Sequence, residues 1–138
     1  MSAIKFSARK LDDAARASSQ CAVLPLHLDE KLTGAAKALD KASGGAVSAT
    51  LALGDFSGKG GQSVMLPGAG KLKRLLLVGC GKKDKFDRKA AREMAGTIYS
   101  ALNGTSAKEA LVLAGDTKVT DADETWLLEM LARKLTSS

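Results

Sequence analysis

The residues able to do chemistry in this chain are few and widely spaced. His27 is the single histidine, and Cys21 and Cys80 are the two cysteines. Cys21 and His27 stand six positions apart on an apolar run that reads as a strand, which separates them by roughly 20 Å. They cannot grip one zinc ion, and Cys80 has no ligand cluster beside it in sequence. Carboxylates gather at Asp12-Asp13 and at Asp121, Asp123 and Glu124. The second group sits where a helix should begin, and there negative charge complements the helix dipole. No G-x-S-x-G frames a nucleophile. No catalytic residue and no metal ligand is therefore expected within these residues.

Two glycine-rich segments invite a phosphate-binding reading. In 54–61, GDFSGKGG, Gly54 is followed by three residues and then by Gly58-Lys59-Gly60. A Walker loop needs four intervening residues and a Ser or Thr after the lysine, so this segment reads as a turn. Gly79-Cys80-Gly81 lies between a strand and a helix, the right place for a dinucleotide loop, but the third glycine of that fingerprint is replaced by Asp84. Gly79 and Gly81 remain the candidate anion-binding positions, through backbone N–H groups near a helix start. Around the same strand the chain is basic. Lys71, Lys73 and Arg74 precede it; Lys82, Lys83, Lys85, Arg88, Lys89 and Arg92 follow it. Those six are the candidate nucleic-acid contacts. Aromatic residues are 4% of the chain, too few for a base-stacking platform, so such a contact would be to duplex backbone charge.

These residues need elements to hold them. Cys21–Leu26, Leu75–Val78 and Ala110–Ala114 are nearly continuous apolar runs, the mark of strands covered on both faces. Each precedes a helical stripe: Leu28, Leu32, Ala35, Ala36 and Leu39; then Ala90, Ala91, Met94, Ala95, Ile98 and Leu102; then Leu127, Leu128, Leu131 and Leu135. Asp87 should cap the second helix, and Thr120 with Asp123 should start the third. In Ala46–Phe56 apolar residues alternate with a period of two, which predicts a strand. Ser63–Leu66 and Leu72–Val78 then complete a run of hairpin-linked strands, and Ile4–Phe6 adds one more. Gly34 and Gly96, inside helical stripes, predict close packing on a sheet. The sum is an α/β three-layer sandwich, a mixed sheet of about six strands with helices on both faces.

At 138 residues the chain fits one domain, 1–138. Apolar residues are 45% and charged residues 26%, which excludes disorder as the main state. No apolar run approaches the ~20 residues that span a bilayer, so no membrane partner is expected. MSAIKFSARKLDD lacks the apolar core of a secretion signal, and two cysteines in apolar runs read as reduced thiols, which together point to the cytoplasm. The net charge of +6 permits an anionic partner without demanding one.

The order of segments resembles the N-terminal domain of the leucyl (cytosol) aminopeptidase family. The residues that carry the resemblance are Ile4–Phe6, CAVLPLH at 21–27, LALGDFSGKGGQSVMLPG at 51–68, KRLLLVGCGKKDKFD at 73–87, RKAAREMAGTIYSAL at 88–102 and EALVLAG at 109–115. The resemblance implies a macro-domain-like fold without catalytic residues. It implies a larger C-terminal catalytic domain, holding two divalent metals (zinc or manganese) through Asp, Glu and Lys and removing N-terminal residues from peptides. It further implies a homo-hexamer, with DNA binding in some members. The family's NTDAEGR-like ligand segment is absent from these 138 residues, so the chain is expected to be the accessory part, contributing to assembly, substrate access or regulation. The alternative that the macro-like fold raises is a binding module for ADP-ribose or another phosphorylated nucleotide near Gly79–Gly81.

Overall fold

The computed structural model describes residues 5–9, 21–32, 34–68, 72–105, 109–113 and 117–136. Asp12-Asp13, Lys71, Ile4 and Ala114 lie outside the described residues. Five strands form one sheet: β1 (Lys5–Arg9), β2 (Ala22–Leu26), β3 (Ser63–Pro67), β4 (Arg74–Gly79) and β5 (Glu109–Leu113). Their spatial order is β1-β5-β2-β4-β3. All neighbours are parallel except β3, which pairs antiparallel with β4 from Ser63↔Val78 to Pro67↔Arg74. Four helices cover the sheet: α1 (Gly34–Ala42), α2 (Ala46–Leu53), α3 (Arg88–Asn103) and α4 (Glu124–Thr136).

The apolar runs split between two cores by strand alternation. On one face Val23, Leu76, Val78, Ala110 and Val112 pack with Ala91, Met94, Ile98 and Leu102 of α3 and Leu127, Leu131 and Leu135 of α4. On the other, Ala22, Leu24, Leu26, Leu75, Leu77, Leu111 and Leu113 pack with Ala36, Leu39 and Val47 of α1 and α2. The mixed α/β layering follows from that division. Edge strand β3 is only half-buried and ends at Pro67, where a missing N–H costs no ladder bond.

The count of six strands is corrected to five among the described residues, because Ala46–Leu53 is the helix α2. Over eight residues a period of two and a period of 3.6 overlap: Val47 and Leu51 are also one helical turn apart. Local chemistry decides. Gly45 and Gly54 both adopt left-handed backbone at its ends. Asp40, on α1, takes the Ser48 N–H on Oδ1 at 2.8 Å and the Ser48 hydroxyl on Oδ2, capping α2 from the neighbouring helix. Those bonds hold the Asp40 carboxyl below its ordinary range.

The other helices need smaller corrections. The stripe from Leu28 becomes helical only at Gly34, because Asp29 takes a positive φ of 62° and turns the chain. Asp87 caps α3 as expected, accepting the Ala90 N–H at 2.9 Å. At α4 the cap is Asp123, whose Oδ1 accepts the Trp126 N–H at 2.8 Å. Thr120 instead gives its N–H to Phe86 O. Neither helical glycine is held by sheet packing. Gly34 is the first residue of α1, at φ 52°. Gly96 is solvent-facing, and a Cβ there would meet nothing within 4 Å. Gly96→Ala should therefore stabilise the domain by about 1 kcal/mol, the helix-propensity difference. Thermal unfolding should show a rise of about 4 °C; a fall would mean that Gly96 serves a contact the fold does not reveal.

Candidate functional site

The parallel ladder between β2 and β5 is short, Ala22↔Leu111 and Val23↔Val112. Its end has a local cause. Leu26 O accepts the Cys80 N–H on the β4 side. Strand alternation then points the Pro25 nitrogen toward β5, and proline has no N–H to give. Beyond Val23 the two strands part. They also leave the sheet in opposite directions, β2 toward α1 and β5 toward α4 on the other face. Adjacent strands whose connections diverge open a crevice at their carboxyl ends, the usual ligand position in open α/β sheets. A crevice of about 460 Å³ lies there, lined by Leu24, Pro25, Leu26 and Leu113 at its base and by His27, Asp29, Glu30, Lys31, Ser57, Lys83 and Thr117 around it.

His27 is the polar group whose state the structure fixes most closely. Its Nδ1 lies 3.2 Å from Gly81 O. A carbonyl only accepts, so Nδ1 carries the proton and Nε2 presents a lone pair. That Nε2 is buried with no partner among the described residues. The ring stands edge-on to Phe86, with centroids 5.3 Å apart. Burial, chiefly, holds its pKa below the ordinary 6.5; Lys83 adds to the lowering, while the Gly81 bond and Glu30 act against it. The unfolded chain therefore binds a proton at pH values where the folded one does not. This contribution to stability is complete above pH 6.5 and erodes as the pH falls through 6.5 toward the folded-state value. Thermal melts between about pH 7.5 and 5 should show this loss, and His27→Gln should flatten the profile. A slope unaltered by the substitution would refute the assignment.

The two glycine-rich segments prove to be partners. Gly79 gives its N–H to Gln62 O, Cys80 to Leu26 O and Gly81 to Gly58 O. Gln62 Oε1 in turn accepts N–H bonds from Ser57 and Lys59, tying the 57–62 turn against the end of β4. An anion at Gly79 and Gly81 would have to displace these bonds. Sequence spacing could not show that Gly58 and Gly79 serve one backbone crossing; two glycine clusters fitting neither phosphate fingerprint were the only signal.

The basic candidates run from the turn after β4 into the first turns of α3. Lys82, Lys83, Lys85, Arg88, Lys89 and Arg92 are all exposed. Lys83 Nζ lies 4.0 Å from Glu30 Oε1, at the crevice rim. The guanidinium groups of Arg88 and Arg92 stand 5.7 and 5.6 Å from the Trp126 ring centre. The start of α3 already holds two carboxylates: Asp87 on the Ala90 N–H and Asp121 on the Arg88 N–H at 3.0 Å. These offset the cations that sequence alone sets against the dipole. The thiols are buried. Burial raises Cys21 to about 11 and Cys80 to about 12, so neither is a thiolate near neutrality. Among the described residues no three His, Cys, Asp or Glu side chains converge to hold a metal, and no helix is long and apolar enough to cross a membrane.

A layered α/β domain whose mainly parallel sheet opens at a switch point defines the class. The particular family follows from comparison: residues 23–138 match the N-terminal domain of the cytosol aminopeptidase family, and the chain belongs to that family. A probable cytosol aminopeptidase of Thioalkalivibrio sulfidiphilus is 40% identical over 110 residues, 78% of this chain and 22% of the relative. One from Ralstonia nicotianae is 38% identical over 133 residues, 89% of this chain and 26% of the relative. The chain thus spans about a quarter of the length of the curated relatives it matches. In structure it is similar to a tomato leucine aminopeptidase mutant, with a TM-score of 0.69 at 23% identity, over 97% of this chain and 28% of that one. It is also similar to a bottromycin maturation enzyme in complex with manganese, with a TM-score of 0.57 at 15% identity, over 86% of this chain and 22% of that one. These two likenesses concern the fold.

Proposed function

We propose that this chain is a single, non-catalytic domain of a longer, metal-dependent leucyl aminopeptidase of the cytoplasm. It contributes assembly, substrate access or regulation, while the remainder of the polypeptide removes N-terminal residues from peptides. The observation that carries this reading is the family match across 23–138, in a chain that spans only about a quarter of its relatives. Two divalent ions, zinc or manganese, would be held by Asp, Glu and Lys of that remainder, in a homo-hexamer. Held there, the ions would supply Lewis-acid chemistry and an activated water. The residues described here provide a folded body with a crevice. Light scattering and peptide kinetics on the longer polypeptide, with and without residues 1–138, test the proposal. A changed oligomer or changed peptide-length preference is expected. If both stay the same, the domain has no such role.

A second reading, duplex DNA contact, is favoured by the exposure of Lys82, Lys83, Lys85, Arg88, Lys89 and Arg92, six cations within eleven consecutive residues. Neutralising Lys82, Lys83 and Lys85 should lower the salt dependence of binding by about three counterions. An unchanged slope would place any contact elsewhere.

A further inference from the structure

We propose that the crevice at the carboxyl ends of β2 and β5 binds a small zwitterion with a branched apolar side chain, of the class of a free amino acid or dipeptide. Its base is aliphatic, from Leu24, Leu26 and Leu113. Its rim carries two carboxylates, Asp29 and Glu30, and two ammonium groups, Lys31 and Lys83. The formal charges sum to zero, and the neutral imidazole of His27 adds none. A simple anion attracted to the lysines would meet the two carboxylates, and the nearby amides of Gly79, Cys80 and Gly81 are already donated within the protein. A zwitterion satisfies both signs at once. Its ammonium end suits Asp29 and Glu30. Its carboxylate end suits Lys31 and Lys83. Thr117, buried although polar, lines the same space. About 460 Å³ is within the range of small-molecule pockets.

The assignment concerns this chain alone and stands or falls apart from the peptidase reading. It is tested by titrating the ¹⁵N-labelled 138-residue chain with L-leucyl-L-leucine, N-acetyl-L-leucine, L-leucinamide, ADP-ribose and inorganic phosphate. Saturable amide shifts centred on residues 24–32, 57, 83, 113 and 117 are expected with the dipeptide. The two singly charged analogues should bind about tenfold more weakly, each having lost one charge-assisted contact. Thr117→Val and Lys31→Gln should each weaken the dipeptide while leaving distant resonances in place. Absence of a saturable shift with the dipeptide, equal binding by the singly charged analogues, or saturation of this site by ADP-ribose or phosphate but not the dipeptide would overturn the proposal.

Discussion

Gly79→Ala should destabilise the domain by about 3 kcal/mol, at the upper end of what overpacking costs. A Cβ on Gly79 would stand 1.9 Å from Lys59 O, 2.7 Å from Lys59 C and 2.8 Å from Gly58 C. All three are backbone atoms, so no side chain can rotate away. Relief requires the 57–62 turn to lift off β4, breaking the bonds from Gly79 N to Gln62 O and from Gly81 N to Gly58 O. Gly58 compounds the constraint, since its own Cβ would meet His27 C and O at 2.8 Å and its φ is 93°. The turn is thus clamped between β2 and β4 and has little room to yield. With a urea slope of roughly 1–3 kcal/mol/M, the midpoint should fall by at least about 1 M. An unchanged midpoint would show that the turn is not seated on β4. Gly96→Ala is the matched control, the same added methyl on an open helix face with the opposite sign.

Phe86→Ala should cost about 3–5 kcal/mol. Phe86 is fully buried beneath α3, in the core that includes Val119 and Leu127. Its ring meets the His27 imidazole edge-on, and its carbonyl accepts the Thr120 N–H at 2.9 Å, so it joins the turn before α3 to the segment before α4. Truncation removes both the apolar transfer term and the packing that fixes the His27 ring. Equilibrium denaturation should record the loss, and His27 resonances should broaden or move. A loss below about 1 kcal/mol would mean that neighbouring side chains collapse into the space.

The buried parts of the fold were the legible parts. β2, β4 and β5 announce themselves as short runs apolar on both faces, and α3 as a long stripe with Asp87 before it. A chain that must bury both faces of a sheet has few other ways to write these segments. α2 is ambiguous in sequence because eight residues rich in alanine fit two periods, and the group that decides between them, Asp40, belongs to another helix. The crevice was not legible as a site. It depends on the β4–α3–β5 crossover, which sets β5 beside β2 by pairing Ala22 with Leu111, 89 residues further along the chain. Its one sequence mark was a proline two positions before the only histidine, inside an otherwise unbroken apolar strand.

The central claim is that these residues form a scaffold whose catalyst lies elsewhere in a longer polypeptide. The direct measurement is hydrolysis of leucine p-nitroanilide by the purified 138-residue chain, with manganese or zinc supplied. The account predicts no release of nitroaniline above the metal-only blank from a chain that melts cooperatively. Sustained turnover, abolished by a chelator and restored by metal, would contradict it.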